Sequence, residues 1–244
     1  MARLPRLVVP NHLHHLIALG HHDQRLFVDE ADYQQFLNFL PEAARQHRVA
    51  LHAYVLLPDR VQLLATPSDT LGLSKMMQSV GRVYVPYFNA RHQRVGSLWG
   101  GRFRATVIDA ATYFTDCAQV IAYLPLQQGA CDDIAAYPWS SYAHHAGLRR
   151  LPWLTDHPTY WALGNTPFDR EAAYQRRCAQ APDPEFAAAV EAATHKGWAL
   201  GSEAFKALLG KLTTRRLQPV RRGRPRKLAP AQETQGAHDT AAEP

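Results

Sequence analysis

VALHAYVLLPDRVQLLAT, Val49 to Thr66, holds two apolar runs, VALHAYVLL (49–57) and VQLLAT (61–66), on either side of Pro58-Asp59. Proline fixes φ and aspartate bonds to nearby backbone, so the pair supplies turn chemistry and the runs read as a tight hairpin. Upstream, His14-His15-Leu16-Ile17-Ala18-Leu19-Gly20 reads as a buried strand ending at a glycine. Asp29-Glu30 then lead into a helix whose Tyr33, Phe36, Leu37, Leu40 and Ala44 share one face. Pro41 lies inside that helix and predicts a kink or a break.

Downstream of the hairpin, Leu71 to Arg91 reads as a second helix, with Met76, Met77, Val80, Val83, Tyr84 and Tyr87 on its apolar face and Pro86 inside it. Arg104 to Asp109 is a short strand, and Ala110 to Leu124 a third helix ending before Pro125. The order predicts an α+β, ferredoxin-like βαββαβ antiparallel sheet with an added C-terminal helix, closed by helices on one face. The expected organisation is a sheet domain over 1–130, a Trp- and Pro-punctuated helical extension over 131–214, and a disordered basic tail over 215–244. Within the extension, helices are expected near Arg170 to Ala179 and Glu185 to His195.

Charge sharpens the functional reading. Seven of the 27 lysines and arginines lie between Arg215 and Lys227 with no acid among them, leaving 20 against the 21 carboxylates of the whole chain. A concentrated cationic segment is an electrostatic footprint for polyanions. Its core, Arg221-Arg222-Gly223-Arg224-Pro225-Arg226-Lys227, resembles an AT-hook: Gly-Arg-Pro keeps the backbone slim and extended, suiting arginines to a narrow A·T-rich minor groove.

A second basic segment carries Arg82, Arg91, Arg94, Arg102 and Arg104 without an acid, interleaved with Tyr84, Tyr87, Phe88, Trp99 and Phe103. Single-stranded nucleic acid calls for that mixture, with cations along the phosphates and aromatic faces under the bases. The alternative is a solvated helix face over core aromatics. Three cysteines, Cys117, Cys131 and Cys178, offer no paired spacing, and no run approaches the apolar length of a membrane span, so a cytoplasmic, nucleoid-associated protein is expected. His12, His14, His15, His21 and His22 offer no convincing partner carboxylate and read as structural or solvent-facing histidines, not metal ligands.

The segments LHAYVLLPDRVQLLATP, LSKMMQSVGRVYVPYFNARH, GSLWGGRFRATVID, YPWSSYAHHAG and RRGRPRK resemble the REP-associated tyrosine transposases, relatives of the single-strand insertion-sequence transposases of the His-hydrophobic-His class. The resemblance implies recognition of a DNA hairpin with a single-stranded flank. It further implies cleavage of one strand, with two strand histidines holding Mg²⁺ or Mn²⁺ and a helix tyrosine attacking the phosphate.

This chain departs from that pattern where the chemistry happens. Pro-Asn-His-hydrophobic-His is replaced by Pro58-Asp59-Arg60-Val61-Gln62, and the tyrosine position is Val120. Tyr123, three residues on, is the one displaced candidate nucleophile. Leu-Trp-Glu-Gly-Arg has become Leu98-Trp99-Gly100-Gly101-Arg102, and the asparagine before Pro125 has become Leu124. The expectation is therefore a DNA binder that holds no metal and does not cut, a monomer or weak homodimer, with Arg60 reaching the phosphate that a metal would have held. The alternatives are an active nickase using Tyr123 and an atypical metal site, and a decaying gene product, suggested by Pro41 and Pro86.

Overall fold

The computed structural model describes residues 5–219. Four strands, β1 (Leu13–Leu19), β2 (Val49–Leu57), β3 (Arg60–Pro67) and β4 (Arg104–Ile108), form one sheet in the order β2-β3-β1-β4, with every neighbouring pair antiparallel. Helices α1 (Glu30–Gln46) and α2 (Gly72–Arg91) make the crossovers, and α3 (Ala110–Gln127) is the added helix. The ferredoxin-like plan is the one the sequence predicts.

Two expectations need correction. Helices cover both sheet faces, because alternate strand residues are apolar on both sides. Leu16, Tyr54, Leu56 and Leu63 pack with Phe36 and Leu40 of α1 and with Met76, Val80 and Tyr84 of α2. Leu13, Ala53, Val55 and Leu64 pack with Phe114, Cys117 and Ile121 of α3. The helices also run through their prolines: α1 through Pro41, α2 through Pro86, and α3 through Pro125 to Gln127. Pro86 is exposed and Pro41 half-buried. Pro125 is buried, so exposure is not a condition for a proline inside these helices.

α1 begins where Asp29 caps it, accepting from the amides of Ala31 and Asp32 at 3.1 and 3.3 Å. Beyond α3 come two single-turn helices, α4 (Tyr142–His145) and α5 (Pro158–Trp161), then α6 (Pro167–Cys178), α7 (Pro184–Lys196) and α8 (Glu203–Leu212); α4, α5 and α8 are not foreseen. Thr166 caps α6 in a reciprocal box with Asp169.

This extension closes the edges of the sheet, which would otherwise present unpaired amides and carbonyls. Along β2, the Leu56 amide donates to Trp139 O (2.9 Å), the Ser141 amide donates to Tyr54 O (2.9 Å) and the Tyr137 hydroxyl donates to Leu56 O (2.6 Å). The Tyr137–Tyr142 block is thus an edge cover. Along β4, the Leu200 amide donates to Val107 O (3.0 Å), the Asp109 amide donates to Leu200 O (2.8 Å), and the Thr106 hydroxyl donates to Trp198 O.

Candidate functional site

Two places draw on the candidate residues. The first is the α3-facing side of β1 and β3. Strand alternation sets Arg60, Gln62 and Leu64 on that side, with Gln62 opposite Ile17 and His15 opposite Leu64. Gln62 and His15 are buried, and the Gln62 carboxamide lies 2.9 Å from His15 Nε2. On the other side of the ring, Thr194 of α7 places its hydroxyl oxygen 2.8 Å from Nδ1. Burial lowers the His15 pKa to about 4, so the ring carries one proton at neutral pH, donates at one nitrogen and accepts at the other. The three side chains satisfy one another beneath α7.

Val120 and Leu124 of α3 and Val190 of α7 close over this network, leaving a cavity of about 160 Å³. Val120 therefore sits next to Gln62, where the resemblance places the nucleophile. Tyr123 is half-buried, packs against the second core and does not line that cavity. Arg60, at the start of β3, bonds to the Asp59 carboxylate through Nη2 (2.9 Å) and Nε (3.1 Å), and its Nη1 lies 3.8 Å from Glu191 of α7.

These donors do not fit the divalent ion that the resemblance implies. A guanidinium has no lone pair to give, and the Gln62 carboxamide is already held by His15. The two nearby carboxylates, Asp59 and Glu191, face the Arg60 charge.

The second place is the β4 edge. Arg102, Arg104, His195, Lys196 and Arg215 line a cleft of about 210 Å³ with Arg6 and Phe103. A larger hollow of about 460 Å³ adjoins it, sharing Arg6, Arg102 and Phe103 and adding Trp99, Leu71, Met77 and Lys75. Among the described residues, no carboxylate lines either hollow. The Arg6 guanidinium stacks 3.8 Å from the centre of the Phe103 ring while donating to Phe103 O (3.2 Å) and Ser74 Oγ (3.2 Å). Arg215 is tied to Pro5 O (2.6 Å) and lies over Trp198, and partial burial lowers its pKa. A cationic trough beside an aromatic hollow can hold a phosphate and an unstacked base a few ångströms apart.

The remaining candidates divide. Arg91 donates to Asp29 (2.6 and 2.7 Å) and to the fully buried Asp32 (2.8 Å), clamping the end of α2 to the start of α1, and it holds the Asp29 carboxyl below its usual range. Arg94 donates to Gln24 Oε1 (2.8 Å) and Asn89 Oδ1 (3.1 Å). Arg82 is exposed on α2. Gly100 donates to Leu19 O (2.9 Å), and a Cβ there would stand 2.7 Å from Gly20 O, so this backbone contact requires glycine. His14 donates from Nδ1 to His12 O (2.7 Å) and accepts at Nε2 from the Val9 amide (3.1 Å), the structural role its sequence context suggests. Arg221, Arg222, Arg224, Arg226 and Lys227 lie outside the described residues.

Sequence reasoning missed Thr194, Glu191, Lys196 and Arg6. The EFAAAVEAATHK pattern marks a helix, and nothing local in it says which distant strand face the helix meets.

No curated protein matches the sequence. Among solved structures the chain is similar to one described as a REP-associated tyrosine transposase bound to a REP hairpin, at 14% identity over 65% of this chain and 93% of that one, TM-score 0.49. It is also similar to a structure assigned to a transposase of Deinococcus radiodurans R1, at 22% identity over 52% of this chain and 98% of that one, TM-score 0.36. Residues 8–121, from the entrance of β1 into α3, match the family described as Transposase IS200 like.

Proposed function

We propose that this chain binds DNA, as a hairpin with a single-stranded flank, and does not cut it. The observation that carries the reading is the contrast between the two places. Where the family resemblance puts metal and nucleophile, Arg60, Gln62 and Val120 are engaged with Asp59, His15 and α7. At the β4 edge a cationic trough with no carboxylate among its described lining residues adjoins an aromatic hollow and lies open. Phosphates then track Arg102, Arg104 and Lys196, and a flanking base enters beside Trp99 and Phe103. The Arg221 to Lys227 segment adds a second contact in an A·T-rich minor groove, raising the effective concentration of the folded domain on nucleoid DNA. A monomer or weak dimer suffices for this.

The test incubates the full chain with labelled hairpin and single-stranded DNA, with and without Mg²⁺ or Mn²⁺, and resolves native complexes beside denatured adducts. The expected result is a retarded hairpin complex, no cleavage and no covalent product under any condition. A metal-dependent adduct at a tyrosine would overturn the reading and direct attention to Tyr123. Absence of any complex would equally defeat it.

A further inference from the structure

On the outer side of β2, away from both places described above, α4 and the segment entering α5 bring His144, His145 and Asp156 together. One donor atom from each lies within 4.8 Å of the other two, and His144 Nε2 stands 3.3 Å from Asp156 Oδ1. The His145 ring is 1% exposed. Its Nδ1 donates to Ser141 O (3.1 Å), while its Nε2 is buried with no hydrogen-bond partner. A buried polar atom with nothing to meet is uncommon in a folded protein and asks for an explanation.

We propose that His144, His145 and Asp156 form a site for a divalent transition-metal ion of the Zn²⁺ type, with a water as fourth ligand. Two imidazoles and a carboxylate are a donor set such ions take. Ligand atoms around a tetrahedral ion stand about 3.4 Å apart, so the present spacing needs only a small contraction. His145 is already prepared: its Nδ1–H is fixed on a backbone carbonyl, the outer-shell contact typical of ligating histidines, and this leaves Nε2 as a bare lone pair.

His144 must change. The Leu151 amide donates to its Nδ1 (3.1 Å), so the single proton of the neutral ring is on Nε2, facing Asp156. When Nε2 takes the ion, that proton moves to Nδ1, and the Leu151 amide loses its acceptor. No net proton is released. A cleft of about 340 Å³ lined by His144 and Asp156 gives the ion access and holds the fourth ligand. Arg149, Arg150, Arg170 and Glu171 also line it, and the net positive charge of that lining weakens the binding of a cation.

The experiment titrates Co²⁺ into the full chain and follows visible absorption. The expected result is a band of tetrahedral intensity that saturates at one equivalent and is displaced by Zn²⁺. Asp156→Asn, at a half-exposed position and nearly isosteric, and His144→Ala each weaken binding at least tenfold, with folding confirmed by circular dichroism. Zn²⁺ also speeds hydrogen exchange at the Leu151 amide. No absorption band in the unaltered chain would overturn the proposal, as would equal affinity in the Asp156→Asn variant, which would place the ion elsewhere, such as at His21 and His22.

Discussion

Lowering the pH from 7.5 to 5.5 should destabilise this protein far more than its surface charge would suggest. His14, His15 and His145 are all fully buried, and burial takes each from 6.5 to about 4 in the folded chain. A histidine whose folded pKa is depressed leaves the unfolded chain binding more protons. Stability therefore falls as pH drops through 6.5 and stops falling only below about 4. At pH 5.5 each ring favours the unfolded state by about 1.4 kcal/mol, so the three together remove about 4 kcal/mol. That is a large share of a typical 5–15 kcal/mol. The carboxylates held low by their partners, Asp29 by Arg91 and Asp156 by His144, give up their contribution only at more acid pH, so this window isolates the histidines. Urea titrations in chelator, with a dependence of about 2–3 kcal/mol per molar, should show the midpoint falling by roughly 1.3–2 M. A fall of less than about 0.3 M would mean that the rings reach water and titrate near their ordinary value, which refutes the buried-network reading.

Other outcomes follow from single side chains. Arg102→Ala should leave the melting temperature unchanged, weaken hairpin binding and lower the slope of log affinity against log salt by roughly 1; an unchanged slope would remove Arg102 from the phosphate path. Arg91→Ala should do the reverse, costing about 1–3 kcal/mol in chemical denaturation because buried Asp32 keeps only His92 and the Val28 amide, while hairpin affinity stays within about twofold. Gly100→Glu, which restores the carboxylate of the resembled motif, should destabilise by about 1–3 kcal/mol through the clash with Gly20 O. An unaltered melting temperature there would show that the loop yields freely.

The sheet was legible because its signals are local. A turn dipeptide between two apolar runs fixes a hairpin, and Asp29 announces the helix it caps. The prolines misled because each removes one local hydrogen bond while packing holds the rest of the helix, and α3 runs on through Pro125 although that residue is buried. The second covered face was written in the strands themselves, where VALHAYVLL is apolar at successive positions and not at alternate ones. What could not be read was which sheet face the late helices would take. Thr194 meets His15 across 179 positions, and Arg6 meets Phe103 across 97. Sequence spacing carries no record of such pairings, and composition alone left Arg91 and Arg102 looking alike.

Arg60 shows how placement revises a chemical argument. As a residue type it suits the task of holding the phosphate that a metal ion would have held. In place, it already faces Asp59 and Glu191, so a phosphate arriving there must displace carboxylates whose attraction is of the same kind and comparable range. At the β4 trough Glu191 reaches only His195, at 3.6 Å, and no carboxylate is among the described residues that line it. α7 links the two places, since Thr194 and Glu191 face the buried β1–β3 network while His195 and Lys196, on its last turn, line the trough. The helix that fills the position of the family's chemistry thus supplies cations to the position proposed for binding.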